Sequence, residues 1–122
     1  MTASNGVNNT LLIAIPTADG RLCAHFGHCQ QFALIEVDRQ AKRILESRAV
    51  APPPHEPGLL PKWLHQQGVG LTIAGGMGGR AQQIFASLGI DLIVGAASDP
   101  PEQVVQAYLD GKLESGDNLC DH

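Results

Sequence analysis

Apolar positions along the chain fall into short blocks whose period changes near the middle. LLIAI (Leu11 to Ile15) is a continuous apolar run closed by Pro16, the pattern of a strand buried on both faces. FALIEV (Phe32 to Val37) and RILESRAV (Arg43 to Val50) flank the polar turn Asp38 to Lys42 and read as an antiparallel hairpin. APPPHEPG (Ala51 to Gly58) cannot enter a sheet interior, because consecutive prolines lack N–H donors and favour extended geometry; it is a rigid connector. From Leu59 the spacing alternates between helix and strand. A helix from Leu59 ends at Gly68, a strand covers Leu71 to Ala74, a helix runs from about Gly79 to Leu88 and ends at Gly89, and a strand covers Ile90 to Val94. The last helix follows Ser98, Asp99, Pro100 and Pro101, carries Val104, Val105, Tyr108 and Leu109 on one face, and ends at Gly111.

The order βββαβαβα, a hairpin followed by right-handed βαβ crossovers, predicts an α/β fold with a mixed sheet flanked by helices, resembling the ribonuclease H-like architecture. The expected organisation is one domain over residues 11–111, with a flexible N-terminal tail (1–10) and a C-terminal tail (112–122). A chain of 122 residues buries enough surface for one core without staples, and its 43% apolar content is ordinary. With a formal charge of −4 and its Lys and Arg scattered singly, the chain offers no basic stripe for nucleic acid. The start MTASNGVNNT has neither the basic end nor the apolar core of a signal peptide, and no apolar run reaches the length of a membrane span. The cytoplasm is the expected compartment, where three cysteines serve as thiols, metal ligands or catalysts more readily than as a disulfide framework.

Chemistry concentrates in CAHFGHC (Cys23 to Cys29), which holds two of the three cysteines and two of the five histidines in the connection between the first two predicted strands. Imidazole nitrogen and thiolate sulfur suit zinc, copper and iron, and Gly27 lets His25 and His28 turn the same way. The spacing matches no standard zinc module. A Cys23–Cys29 disulfide, or histidines that merely bond loop carbonyls, remain alternatives. The chain ends in DNLCDH, which adds Cys120 and His122, and the proline-rich connector holds His55; His65 reads as a surface residue of the first helix. A nucleophile–base pair of Cys29 and His28 lacks a third, orienting group.

AGGMGGRA (Ala74 to Ala81) lies where a parallel strand passes into a helix, a place where backbone N–H groups and the helix dipole favour an anion, with Arg80 as counter-charge. Gly76, Gly78 and Ala81 fit G-x-G-x-x-A, but no acidic residue follows at the dinucleotide spacing, and no G-K-[ST] marks a P-loop.

Four stretches, HFGHC, PPHEPGLLPKWL, AGGMGGRAQQIF and NLCDH, together resemble the dinitrogenase iron-molybdenum cofactor biosynthesis family, which includes the NifX-like and NifB carboxy-terminal domains. The likeness is greatest to its stand-alone molybdenum-iron cluster-binding branch and spans Leu11 to His122. It implies a ribonuclease H-like fold and non-catalytic binding, storage or carriage of a metal-sulfur cluster during cofactor assembly. The cluster contains molybdenum with iron or, as in the related orange proteins, copper. The implied metal ligands are His25, His28, Cys29, His55, Cys120 and His122; Gly75, Gly76, Met77 and Gly78 form the implied cofactor cradle, to which the anion reading adds Arg80, and Cys23 is outside the family pattern. Implied partners are the cluster and cofactor-assembly proteins or ATPases, with no nucleic acid or membrane, and the chain is expected to be a monomer or weak dimer. A zinc- or copper-binding sensor module and a thiol-disulfide protein are the alternatives from the same residues.

Overall fold

The computed structural model describes residues 10–23, 29–52 and 59–113. Among the described residues the elements follow in order: β1 (Thr10–Ala18), β2 (Arg21–Leu22), β3 (Gln31–Asp38), β4 (Arg43–Val50), α1 (Leu59–Gln66), β5 (Leu71–Ile73), α2 (Gly79–Ser87), β6 (Asp91–Ile93) and α3 (Pro101–Leu109). The strands form one mixed sheet in the order β4-β3-β1-β5-β6, with β2 paired to β1. β3 and β4 run antiparallel to their neighbours, whereas β5 and β6 are parallel to β1.

Two apolar clusters sandwich the sheet. On one face, Ile13, Ile15, Ile35 and Ile73 pack with Val104, Val105 and Leu109 of α3. On the other, Ala14, Phe32 and Leu34 pack with Leu60 and Leu64 of α1 and Phe85 of α2. The alternation along β1 and β3 assigns neighbouring residues to opposite faces, so both faces must be covered, as the continuous apolar run requires. Thr72 of β5 is fully buried, and its hydroxyl has no hydrogen-bond partner among the described residues.

The structure adds one strand to the expected order and extends another. β1 does not stop at Pro16 but continues to Ala18, turns through Asp19 (φ 55°) and Gly20 (φ 78°), and returns as β2. Positive φ at both turn residues is the tight two-residue hairpin geometry that Asp-Gly favours. Pro16 fits because its missing donor would point away from β3: the neighbouring even-numbered Leu12 bonds on the β5 side, its carbonyl accepting from Gly70 N–H at 3.0 Å. The Pro16 carbonyl itself accepts from Cys23 N–H at 2.7 Å. β1 therefore exchanges β5 for β2 as its lateral partner just beyond the end of their short pairing at Ile13 and Ala14.

All three helices close at the predicted glycines. At Gly68, Gly89 and Gly111 φ lies between 71° and 89°, the left-handed region that costs glycine nothing. The two amides after each helix bond back to its last turn, as in Gly111 N–H to Tyr108 O (3.1 Å) and Lys112 N–H to Ala107 O (2.8 Å).

Candidate metal and cofactor site

β1, β5 and β6 point their carboxy-terminal ends the same way, and the loops leaving them are bonded together. Ala74 N–H donates to Ile93 O at 2.9 Å, Gly95 N–H to Gly75 O at 2.8 Å, and Ala96 N–H to Ala74 O at 3.2 Å. The loop before α3 holds the β2 hairpin: Ser98 Oγ donates to Leu22 O at 2.7 Å, and Leu22 N–H to Asp99 O at 2.9 Å. These bonds fix a platform at the end of parallel strands, where ligands of open α/β sheets commonly bind.

The glycine-rich segment forms the centre of that platform. Gly75, Gly76 and Met77 are buried, whereas Gly78, Gly79 and Arg80 are exposed at the start of α2. Met77 sends its side chain into the core beside Ala74 and Phe85, and its carbonyl accepts from Gln82 Nε2 at 2.9 Å. Gly78 is the N-cap, with extended backbone (φ −65°, ψ 156°) and no side-chain cap. The first amides of α2 thus lack a side-chain acceptor, and α2 carries no acidic residue in its first turn. A Cβ built on Gly78 or Gly79 meets no atom within 4 Å, so these two positions have room for a side chain among the described residues. Arg80 makes no ion pair among the described residues.

Cys23 and Cys29 are half-buried, and no disulfide joins them. Cys23 leaves β2 beside Pro16, and Gln30 N–H donates to Thr17 O at 2.8 Å, so both cysteines flank the carboxy-terminal end of β1. Cys29 packs against the cluster containing Phe32, Ala74 and Met77. Trp63 of α1 joins the same cluster and tilts against Phe32 at 5.6 Å. Burial, and secondarily the neighbouring Cys23, push the Cys29 thiol up to about 11, against a small opposing effect of a backbone hydrogen bond. Burial thus favours the protonated sulfur, and a bound metal would reverse that preference by stabilising the thiolate.

Of the sequence candidates among the described residues, Cys29 packs against the core cluster that contains Met77, Gly75 and Gly76 are buried, and Gly78 and Arg80 are exposed. His25, His28, His55, Cys120 and His122 lie outside the described residues, and His65 is exposed on α1. Among the described residues no three His, Cys, Asp or Glu side chains gather as a metal site. The donors and acceptors that fit a metal-bearing anion are a soft thiol and a row of open amides. Gln82, which holds the first loop, is signalled only as a polar residue one turn into a helix behind a glycine loop, and Ser98, placed by the sequence before the last helix, bonds to Leu22 instead of capping α3, whose N-cap is Pro100.

Residues 9–111 match the family described as dinitrogenase iron-molybdenum cofactor. The chain belongs to that family. An uncharacterized protein of Methanocaldococcus jannaschii, MJ0580, is 30% identical over 105 residues, covering 84% of this chain and 88% of the relative. The crystal structure of PH0822 superposes with a TM-score of 0.79 at 28% identity, covering 86% of this chain and 94% of the other. The apo form of the orange protein from Desulfovibrio gigas shares the fold, with a TM-score of 0.69 at 22% identity over 92% of this chain and 98% of that one. No helix among the described residues is long and apolar enough to cross a membrane.

Proposed function

We propose that the protein binds and carries a metal-sulfur cluster during cofactor assembly, without catalysing a reaction, on a ribonuclease H-like scaffold. The observation that carries this reading is that Cys29 packs against the same core cluster that contains Ala74 and Met77, at the ends of parallel strands. Family membership supports a cofactor-binding role, since the family is described by the iron-molybdenum cofactor of dinitrogenase.

In this reading Cys29, His25 and His28 bind metal from one side, and Cys120 and His122 close over it from the C-terminal tail, with His55 as a further ligand. Gly75, Gly76, Met77 and Gly78 supply the backbone cradle, and Arg80 the counter-charge. The cargo contains molybdenum with iron or copper. A metal-sulfide cluster is a large anion and the chain is itself negative, so retention has to be local, through sulfur and imidazole bonds and the open amides of α2.

Truncation after Gly116 tests the set, because it removes Cys120 and His122 and leaves the described fold whole. Retention of reconstituted cluster falls while circular dichroism is unchanged. Retention equal to that of the full chain removes the tail from the site.

A further inference from the structure

β4 is an edge strand: β3 lies on one side, and no strand pairs with its other side among the described residues. Its bonding phase follows from β1. The Leu12 and Pro16 carbonyls bond on the β5 and β2 side, so the even-numbered residues of β1 turn away from β3 and the odd ones turn toward it. Ile13 is opposite Ile35, and Ile35 is opposite Ser47. Carried across the register, the alternation has Glu46 and Arg48 bond back to β3, while Ser47 and Ala49 turn their N–H and C=O groups outward.

The side chains on this strand are unbalanced within one chain. Glu46 stands directly opposite Glu36, and Arg48 opposite Leu34. They line an open groove of about 380 Å³ on the α1 side of the sheet. Carboxylates facing each other across a strand pair repel, and none of Glu36, Glu46 and Arg48 makes an ion pair among the described residues. A register shift between Glu36 and Val37 leaves Leu45 as the extra residue of β4, 44% exposed.

We propose that β4 pairs antiparallel with β4 of a second copy of this chain about a two-fold axis through Ser47, joining two sheets into one. That register sets Glu46 opposite Arg48 of the partner subunit, Arg48 opposite the partner's Glu46, and Leu45 opposite the partner's Ala49. The row across the joined sheet then reads Glu36, Glu46, the partner's Arg48, so the repelling carboxylates gain a cation. Charged residues on an edge usually prevent pairing. Here the sequence Glu46-Ser47-Arg48 favours one register and opposes the two beside it. A shift of two residues in either direction sets Glu46 against the partner's Glu46, or Arg48 against the partner's Arg48. The edge lies across the sheet from β5, so this interface is independent of the cluster site.

The test is sedimentation of the full chain over a range of concentrations, without added metal. Wild type is a dimer; Glu46→Arg or Arg48→Glu alone weakens it by about tenfold or more, and the double exchange, which restores opposite charges in the same register, recovers it. Ser47→Pro, which removes one outward donor, yields a monomer with an unchanged circular dichroism spectrum. If that variant unfolds, the charge series decides. A wild type that stays monomeric up to its solubility limit overturns the proposal, as does a dimer that neither single exchange weakens or that the double exchange fails to recover.

Discussion

Gln82 donates through Nε2 to the Met77 carbonyl at 2.9 Å, tying the first turns of α2 to the segment that leads into it. A side-chain bond of this kind contributes about 1 kcal/mol. Here it also fixes the direction of the amides that follow Met77. Replacing Gln82 with alanine lowers stability by about that amount and weakens cluster retention by more than the stability loss alone explains. Denaturant melts and retention measured on the same preparations separate the two effects.

Gly78 offers a cleaner probe of the cradle. Its backbone is extended, with φ −65°, and a Cβ there meets nothing. Gly78→Val is therefore expected to fold, with a modest loss of stability because valine caps a helix less well than glycine. If the open amides of α2 approach a cluster, the valine side chain fills the space in front of them and loading is lost. Loading at the wild-type level would place the cargo elsewhere.

The three helix ends and the change from hairpin to alternating helix and strand are legible because Gly68, Gly89 and Gly111 act locally, each through a positive φ and two amide bonds. The β2 hairpin was equally legible in Asp19-Gly20, the strongest short hairpin signal. Reading Pro16 as a strand end hides it, since whether a proline interrupts a strand depends on which neighbour its nitrogen faces, and that is a property of the sheet. The bulge at Leu45 is set by the meeting of β3 and β4 and has no local signal. For the site, composition finds Cys29 and the glycine segment, but their shared packing needs the β1 to β5 pairing that joins distant stretches.

Thr72 presents a buried hydroxyl without a partner among the described residues. An unsatisfied buried group costs about 1–3 kcal/mol, and valine has nearly the same shape. Thr72→Val should raise the melting temperature and leave cluster retention unchanged. A lower melting temperature would show that the hydroxyl is satisfied in solution.

Cys29 gives a pH signature. Its thiol is pushed up to about 11, above the ordinary value of 9.0, so the folded chain holds this proton where the unfolded chain has lost it. The favourable contribution is complete below about pH 9 and is lost as pH rises toward 11, so stability falls across that window. Cys29→Ala reduces this dependence. Alkylation of Cys29 in the metal-free protein is slow near neutrality and accelerates toward pH 11, because the thiolate is the nucleophile. Bound metal protects the sulfur at every pH at which the complex survives.

Metal and acid-labile sulfide analysis of protein purified or reconstituted without oxygen, read with its visible absorption, tests the central claim most directly. The account predicts a coloured protein holding sulfide and molybdenum with iron or copper, and loss of both colour and sulfide in a variant carrying His25→Ala, His28→Ala and Cys29→Ala whose circular dichroism is unchanged. A colourless protein holding zinc alone, or a triple variant that retains the colour and sulfide of wild type, would contradict it.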